Sequence, residues 1–132
     1  MRVVQDSVDI GLLVRDIDAC LKFYCQDLGF PKVEQRNIGD RIQHRIQIGR
    51  TLLKLLWSPA QPPPAGPHGR DAQAGYRYIT IEVDDAEAAA KELQGRGVVF
   101  IAPPHPNSVG DTVAMLEDPE GNTIELFSPK RP

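Results

Sequence analysis

Hydrophobic and polar residues follow one order along this chain, and the chain repeats that order. Residues 10–30 contain a short apolar stretch, an aspartate, a run with apolar residues at helical spacing, and a glycine. Residues 79–98 contain the same succession. Apolar alternation predicts further strands after each helix, so we expect each copy to fold as a β-α-β-β-β module. An internal repeat of this kind outranks any single local motif as an indication of architecture.

Capping residues set the expected limits of both helices. Asp16 and Asp85 stand where helix N-caps belong, and Gly29 and Gly97 stand where glycine ends a helix. The pattern predicts helices over residues 17–28 and 86–94, and strands over residues 8–14, 32–37, 41–48, 51–57, 78–83, 98–102, 112–117 and 123–127.

A segment of different composition separates the two copies. Residues 59–75 hold five prolines and three glycines, which exclude a helix or a central strand. We therefore expect a single domain of two modules, residues 1–58 and 76–132, joined by a linker over residues 59–75. The expected fold class is α+β, with one helix packed on each sheet and the two sheets forming a cup-like incomplete β-barrel.

Composition narrows the classes of partner. A formal net charge of -3 and a pI of about 5.6 leave no broad basic surface, so we expect no nucleic-acid partner. No stretch approaches the ~18 consecutive apolar residues of a membrane span. The two cysteines, Cys20 and Cys25, lie five apart on one predicted helix, which is typical of reduced thiols in a cytoplasmic protein.

Two segments within this plan resemble the vicinal oxygen chelate superfamily, the fold of glyoxalase I, bleomycin resistance proteins and extradiol dioxygenases. Residues 23–30 (FYCQDLGF) end the first predicted helix, and residues 118–126 (DPEGNTIEL) form a turn and the last strand. The resemblance covers essentially the whole chain. It implies a small-molecule ligand and a homodimer, in which the modules pair either within one chain or between chains.

The resemblance also implies four equivalent positions, two in each module, that hold a divalent cation in many family members. Here they fall on Asp9, Lys54, Tyr78 and Glu125. The counterpart of Glu125 in the first module is either Lys54 or Leu55, because a shift of one residue reverses the faces of a strand. We favour Lys54, since Leu55 in the cup would place the lysine ammonium beneath the helix.

These residue types depart from the family's metal ligands. None is a histidine, and a lysine ammonium repels a cation, so we expect no cofactor. A divalent metal, if present, would be held by Asp9 and Glu125. The catalytic interpretation makes Glu125 the general base beside a substrate carbonyl, with Lys54 and Tyr78 stabilising the enolate oxygen and Asp9 orienting Lys54. Alternatively, the four residues form an ion-pair network without chemistry.

Further candidates concern ligand binding. Leu13, Leu56, Thr80, Glu82 and Phe127 are expected to share the cup face with the four central positions. His44, in the middle of a predicted strand, is either a packed core residue or, if it faces the cup, part of the pocket wall.

Three functions stay open at this point. The first is lyase- or isomerase-type proton transfer on a small oxygenated metabolite. The second is non-catalytic binding of a small molecule or antibiotic, and the third is a metal-dependent glyoxalase or dioxygenase with unusual ligands. The chain has only one tryptophan, three tyrosines and four phenylalanines, which favours an enzyme or small-metabolite binder over a drug trap.

Overall fold

The structure of this protein is a computed structural model, which describes residues 1–131. Its contacts divide the chain into two compact units, Met1–Pro64 and the part from Ala65 onward. Each unit contains one β-α-β-β-β module with a four-stranded mixed sheet. The α+β class and the internal repeat predicted from the sequence are therefore confirmed.

The first module forms a sheet in the order β1-β4-β3-β2. Strand β1 runs parallel to β4, and the other neighbours are antiparallel. Its elements are β1 (Ile10–Leu13), α1 (Ile17–Leu21), a π-helical segment (Lys22–Asp27), β2 (Lys32–Ile38), β3 (Arg41–Ile48) and β4 (Thr51–Trp57).

The π-helical segment occupies the second half of the helix that the sequence predicts as continuous. The Asp16 carboxylate accepts a hydrogen bond from the Ala19 N–H at 3.0 Å, which caps the helix start as expected. At the other end, the Leu28 N–H donates to the Phe23 carbonyl, five residues back, at 2.9 Å. Gly29 then ends the helix with φ 81°, a conformation that favours glycine.

The core of the first module lies between this helix and one face of the sheet. Leu53 and Leu55 of β4 and Ile46 of β3 are fully buried, as are Cys20 and Tyr24 of the helix. The expectation that Leu53 and Leu55 belong to the core is confirmed. Full burial of a leucine side chain contributes about 1.5–3 kcal/mol to folding, so these positions stabilise the packing of helix on sheet.

The second module repeats the arrangement, with sheet order β5-β8-β7-β6 and β5 parallel to β8. The Asp85 carboxylate caps its helix by accepting from the Ala88 N–H at 3.0 Å. Ala86, Ala90 and Leu93 form the buried helix face. Its elements are β5 (Tyr78–Glu82), α2 (Ala86–Gly95), β6 (Phe100–Pro106), β7 (Thr112–Glu117) and β8 (Thr123–Ser128).

Five strands differ from their predicted limits, and β2, β5 and β8 do so by a single residue each. Strand β1 is shorter than residues 8–14, and β6 begins later than residue 98 and continues to Pro106. The prolines at 103, 104 and 106 predict an end to the strand, because proline cannot donate to a neighbouring strand. They are accommodated here because β6 is the outermost strand of its sheet and pairs only with β7.

The turn between β7 and β8 is built as its sequence predicts. One carboxylate oxygen of Asp118 accepts hydrogen bonds from the N–H groups of Glu120 and Asn122, each at 2.9 Å. Gly121 adopts φ 85°. A side chain at this position would collide with the His68 imidazole, so the turn and the preceding linker are closely fitted.

The segment between the modules contains no helix or strand from residue 58 to residue 77. Within residues 1–131, no helix has both the length and the apolar character needed to cross a bilayer.

Candidate functional site

The face of the first sheet opposite its helix, here called the first helix-free face, carries a lysine–aspartate ion pair. Lys54 lies in the middle of β4, and Asp9 immediately precedes β1, the parallel neighbour of β4. The Lys54 Nζ lies 2.7 Å from Asp9 Oδ2, and 26% and 27% of the two side chains remain exposed. Leu55, the alternative to Lys54, is fully buried on the opposite face.

Further charges surround this ion pair. Arg45 lies directly across from Lys54 on β3, where it contacts the Glu34 carboxylate at 3.3 Å and donates to the Gln43 side chain at 3.1 Å. The hydrogen bond from Lys54 outweighs desolvation and lowers the pKa of the Asp9 carboxyl below its usual range. Asp9 is therefore a carboxylate at neutral pH, bonded to a cation of its own module.

Leu13 and Leu56 lie on the same helix-free face as Lys54. They are register partners across β1 and β4, and Leu56 is two residues beyond Lys54 along β4. About half of the Leu13 side chain is exposed, at 52%. The two leucines therefore share the face of the ion pair, and their part in ligand binding stays a prediction.

His44 lies on the opposite face, beneath the helix. Its register partner is the buried Leu55, and only 9% of His44 is exposed. Desolvation lowers the pKa of His44, and the nearby Lys32 charge lowers it further, while Asp18 opposes them weakly. Its Nδ1 has no hydrogen-bond partner in the described part of the chain. Of the two alternatives open from the sequence, the structure favours the packed core residue over a pocket-wall role.

The corresponding face of the second sheet, the second helix-free face, places Glu125 beside a threonine. Glu125 of β8 and Thr80 of β5 are register partners, and the Thr80 hydroxyl donates to Glu125 Oε1 at 2.9 Å. Met115 of β7 lies on the other side of Glu125. The buried Ile124 and Leu126 flank Glu125 along the strand, so the carboxylate points away from the helix-covered core.

Glu125 lines a cavity of about 480 Å³ on this face. That volume lies within the range of small-molecule pockets, which are mainly apolar with a few placed polar groups. The polar residues of the cavity wall are Arg70, Asp71, His105, Asn107, Thr123 and Glu125, and the apolar residues are Ile101, Ala102, Val113, Met115 and Phe127.

The remaining predicted residues of the second module alternate along β5. Tyr78, Thr80 and Glu82 share the helix-free face, and Glu82 is the register partner of Phe127. Tyr78 is half-exposed and lines an adjacent depression formed with linker residues. The structure thus brings Thr80 into contact with Glu125 and Phe127 into the same cavity wall, whereas Tyr78 and Glu82 lie outside that wall.

Sequence reasoning missed five polar residues of this cavity, of which Thr123 begins β8. Arg70 and Asp71 belong to the linker, and His105 and Asn107 come from the end of β6 and the residue that follows it. The available signal was the charged Arg-Asp pair directly after Gly69, within an otherwise proline- and glycine-rich segment.

The donor atoms present do not fit a divalent metal. In the first module the Asp9 carboxylate is bonded to an ammonium, and in the second module the Glu125 carboxylate accepts from a hydroxyl. Across residues 1–131, no three or more His, Cys, Asp and Glu side chains are grouped to hold an ion. Binding of a metal by Asp9 and Glu125 is a prediction that these contacts do not support.

The sequence of this chain is similar to that of a known protein family and of several named proteins. A family model described as Glyoxalase/Bleomycin resistance protein/Dioxygenase superfamily matches residues 7–126. The chain is 27% identical over 123 residues to a probable lactoylglutathione lyase of Synechocystis sp. (strain ATCC 27184 / PCC 6803 / Kazusa), covering 86% of this chain and 88% of that protein. It is 25% identical over 139 residues to a lactoylglutathione lyase of Neisseria meningitidis serogroup A, covering 98% and 92%.

Among solved structures, the chain resembles an antibiotic binding protein from Streptomyces sp. CB03234. The two are 25% identical with a TM-score of 0.75, and the likeness covers 98% of this chain and 100% of that one. The chain is therefore similar both to proteins with enzyme names and to a protein with a binding name.

Proposed function

The chain belongs to the Glyoxalase/Bleomycin resistance protein/Dioxygenase superfamily, and from that premise we propose that it binds a small oxygenated metabolite and catalyses lyase- or isomerase-type proton transfer. The observation that carries the proposal is the Glu125 carboxylate, which lines a cavity of about 480 Å³ with a threonine hydroxyl on one of its oxygens. The relatives named lactoylglutathione lyase support this class of chemistry.

Glu125 serves as the general base in this proposal. Thr80 engages Oε1 and fixes the orientation of the carboxylate, so we assign proton abstraction to Oε2. The proton leaves a carbon next to a substrate carbonyl, and the electron pair of that C–H bond moves toward the carbonyl oxygen to form an enolate. Return of the proton to a neighbouring atom completes an isomerisation, and expulsion of a leaving group completes a lyase reaction.

Tyr78 lies in the depression beside the Glu125 cavity, and its stabilisation of an enolate oxygen stays a prediction, as does that by Lys54. In the first module, Asp9 would orient Lys54. The contact of 2.7 Å between Lys54 Nζ and Asp9 Oδ2 supports the orienting role. The family also favours a small-molecule partner and a homodimer, which sedimentation would show as twice the chain mass of 14.6 kDa.

Exchange of carbon-bound protons with solvent tests the base directly. The purified protein is incubated in D₂O with lactoylglutathione and with a panel of small 2-oxo and 2-hydroxy carbonyl compounds, and loss of the C–H signal is followed by ¹H NMR. Glu125→Gln should slow exchange by about 10²–10⁴-fold, the usual contribution of a general base. Glu87→Gln makes the same chemical change at an exposed helix position and should leave the rate unchanged.

The second candidate function is antibiotic binding without turnover, and the Streptomyces protein favours it. A binding protein does not catalyse proton exchange, so in it Glu125→Gln would only weaken ligand affinity. Wild-type protein that binds a ligand with no catalysed exchange over the whole panel would therefore replace the enzyme proposal with the binding one.

A further inference from the structure

The linker returns over the cavity of the second module as a tight turn. The Ala72 N–H donates to the Gly69 carbonyl at 3.4 Å, so Arg70 and Asp71 occupy the two central positions of the turn. Gly69 adopts φ 94°, a conformation that favours glycine. Both central residues line the cavity that contains Glu125.

Three contacts hold the start of this turn against the second sheet. Arg77, the residue before β5, donates from Nη2 to the carbonyls of Pro67 and Gly69, each at 2.7 Å. The His68 Nδ1 lies 3.3 Å from the Glu117 carboxylate at the end of β7. The position of the turn tip is therefore specified by the module and is not left to a flexible linker.

The guanidinium of Arg70 is held only loosely by its own neighbour. Its contacts with the Asp71 carboxylate measure 3.3 Å and 3.4 Å, at the long end of the hydrogen-bond range, and 51% and 85% of the two side chains are exposed. An exposed ion pair of this kind exchanges partners readily. The Asp71 carboxylate raises the pKa of Arg70, and the Glu125 carboxylate adds to the effect, so Arg70 is a permanent cation lining this cavity.

We propose that Arg70 recognises a carboxylate group of the ligand, and thereby selects carboxylate-bearing metabolites for the cavity of Glu125. A guanidinium offers two parallel N–H donors that match the two oxygens of a carboxylate, and the ligand takes the place that Asp71 occupies. Without Arg70, an anionic ligand meets the carboxylates of Asp71 and Glu125 and is repelled. The proposed function supplies the role of Glu125, and this inference adds the substrate class.

A matched pair of ligands tests the inference. Pyruvate and its uncharged amide, pyruvamide, differ only in the carboxylate, and both carry an exchangeable C–H next to a ketone. Their affinities are measured by ¹H–¹⁵N NMR titration of the full chain. Wild-type protein should bind pyruvate at least about tenfold more tightly than pyruvamide, and Arg70→Gln should bring the two affinities together.

Three variants sharpen the result. Arg70→Lys keeps the positive charge but loses the two parallel N–H donors, so it should retain only part of the preference for pyruvate over pyruvamide. Asp71→Asn removes the competing carboxylate and should strengthen pyruvate binding. Arg96→Gln, an exposed change at the residue that follows α2, should leave both affinities as in the wild type. The inference is overturned if wild-type protein shows no saturable pyruvate binding or no carboxylate preference, or if the preference survives in Arg70→Gln.

Failure of this inference can be told from failure of the proposed function. Glu125→Gln leaves the guanidinium in place, so the carboxylate preference should persist in that variant while proton exchange is lost. If the wild type prefers pyruvate to pyruvamide but catalyses no proton exchange, only the catalytic proposal is wrong. If it catalyses exchange but shows no such preference, only the role of Arg70 is wrong.

Discussion

His44 should make the stability of this protein fall as the solution becomes mildly acidic. Its ring is buried beneath the helix of the first module, and burial lowers its pKa below the ordinary value of 6.5. The unfolded chain binds a proton at His44 near pH 6.5, whereas the folded protein resists it. Between the unfolded pKa and the lower folded pKa, unfolding therefore takes up a proton. The free energy of unfolding decreases as pH falls below about 6.5, and the decrease ends once the pH is below the folded pKa.

The magnitude follows from the number of protons. One proton taken up on unfolding gives a limiting slope of about 1.4 kcal/mol per pH unit. At higher pH the neutral ring carries an Nδ1 with no described partner, and an unsatisfied buried polar atom costs about 1–3 kcal/mol. His44→Leu removes both the proton uptake and that atom, so it should be at least as stable as the wild type above neutral pH and more stable below about pH 6.

Urea denaturation of wild-type and His44→Leu protein, at closely spaced values between about pH 5 and pH 8, measures both quantities. The difference in unfolding free energy between the two proteins should change with pH, because titrations common to both cancel. His105→Gln, which leaves His44 in place, controls for the loss of a histidine elsewhere. Parallel stability profiles of the wild type and His44→Leu would refute the argument that burial suppresses protonation.

Three other substitutions test the packing, the cap and the ion pair. Leu55→Ala should destabilise the protein by about 2–5 kcal/mol in urea denaturation, while Leu13→Ala, at a half-exposed position, should cost clearly less; equal losses would contradict the assigned core face. Asp85→Ala should cost about 1 kcal/mol by the same assay, with Asp85→Asn retaining most of the cap, and an equal loss in both would exclude capping as the cause. Lys54→Met should raise the pKa of Asp9 toward its ordinary value of 3.8, as followed by ¹³C NMR of the carboxyl, and an unchanged titration would rule out the ion pair in solution.

Much of the fold could be predicted because its signals are local. The capping aspartates and the strand limits of β3, β4 and β7 follow from residue type and alternation alone, and the structure reproduces them. The same alternation predicts that Lys54 points to the other face of the sheet from the buried Leu53 and Leu55. Two leucines that flank a lysine along a strand enter the core together only if the lysine points away from it.

The remainder depends on contacts that no local pattern encodes. The shift to π-helical hydrogen bonding over Lys22–Asp27 has no counterpart in the apolar spacing of the sequence, which is that of an ordinary helix. The extension of β6 through its prolines depends on its place at the edge. The position of Arg70 depends on hydrogen bonds from Arg77 to linker carbonyls, and a segment without periodicity gives no sign of where such a tether will hold it.

The prolines of β6 have a further consequence, for self-association at high concentration. An outer strand with a continuous row of N–H groups is a template for strands of other molecules, and a gap in that row interrupts the template. Pro103, Pro104 and Pro106 leave such gaps in β6, whereas β2, the corresponding outer strand of the first sheet, contains no proline and carries Lys32 and Arg36 among its side chains. The two sheets thus resist aggregation in different ways, and increased salt, which screens charges, should weaken the resistance of β2 but not that of β6.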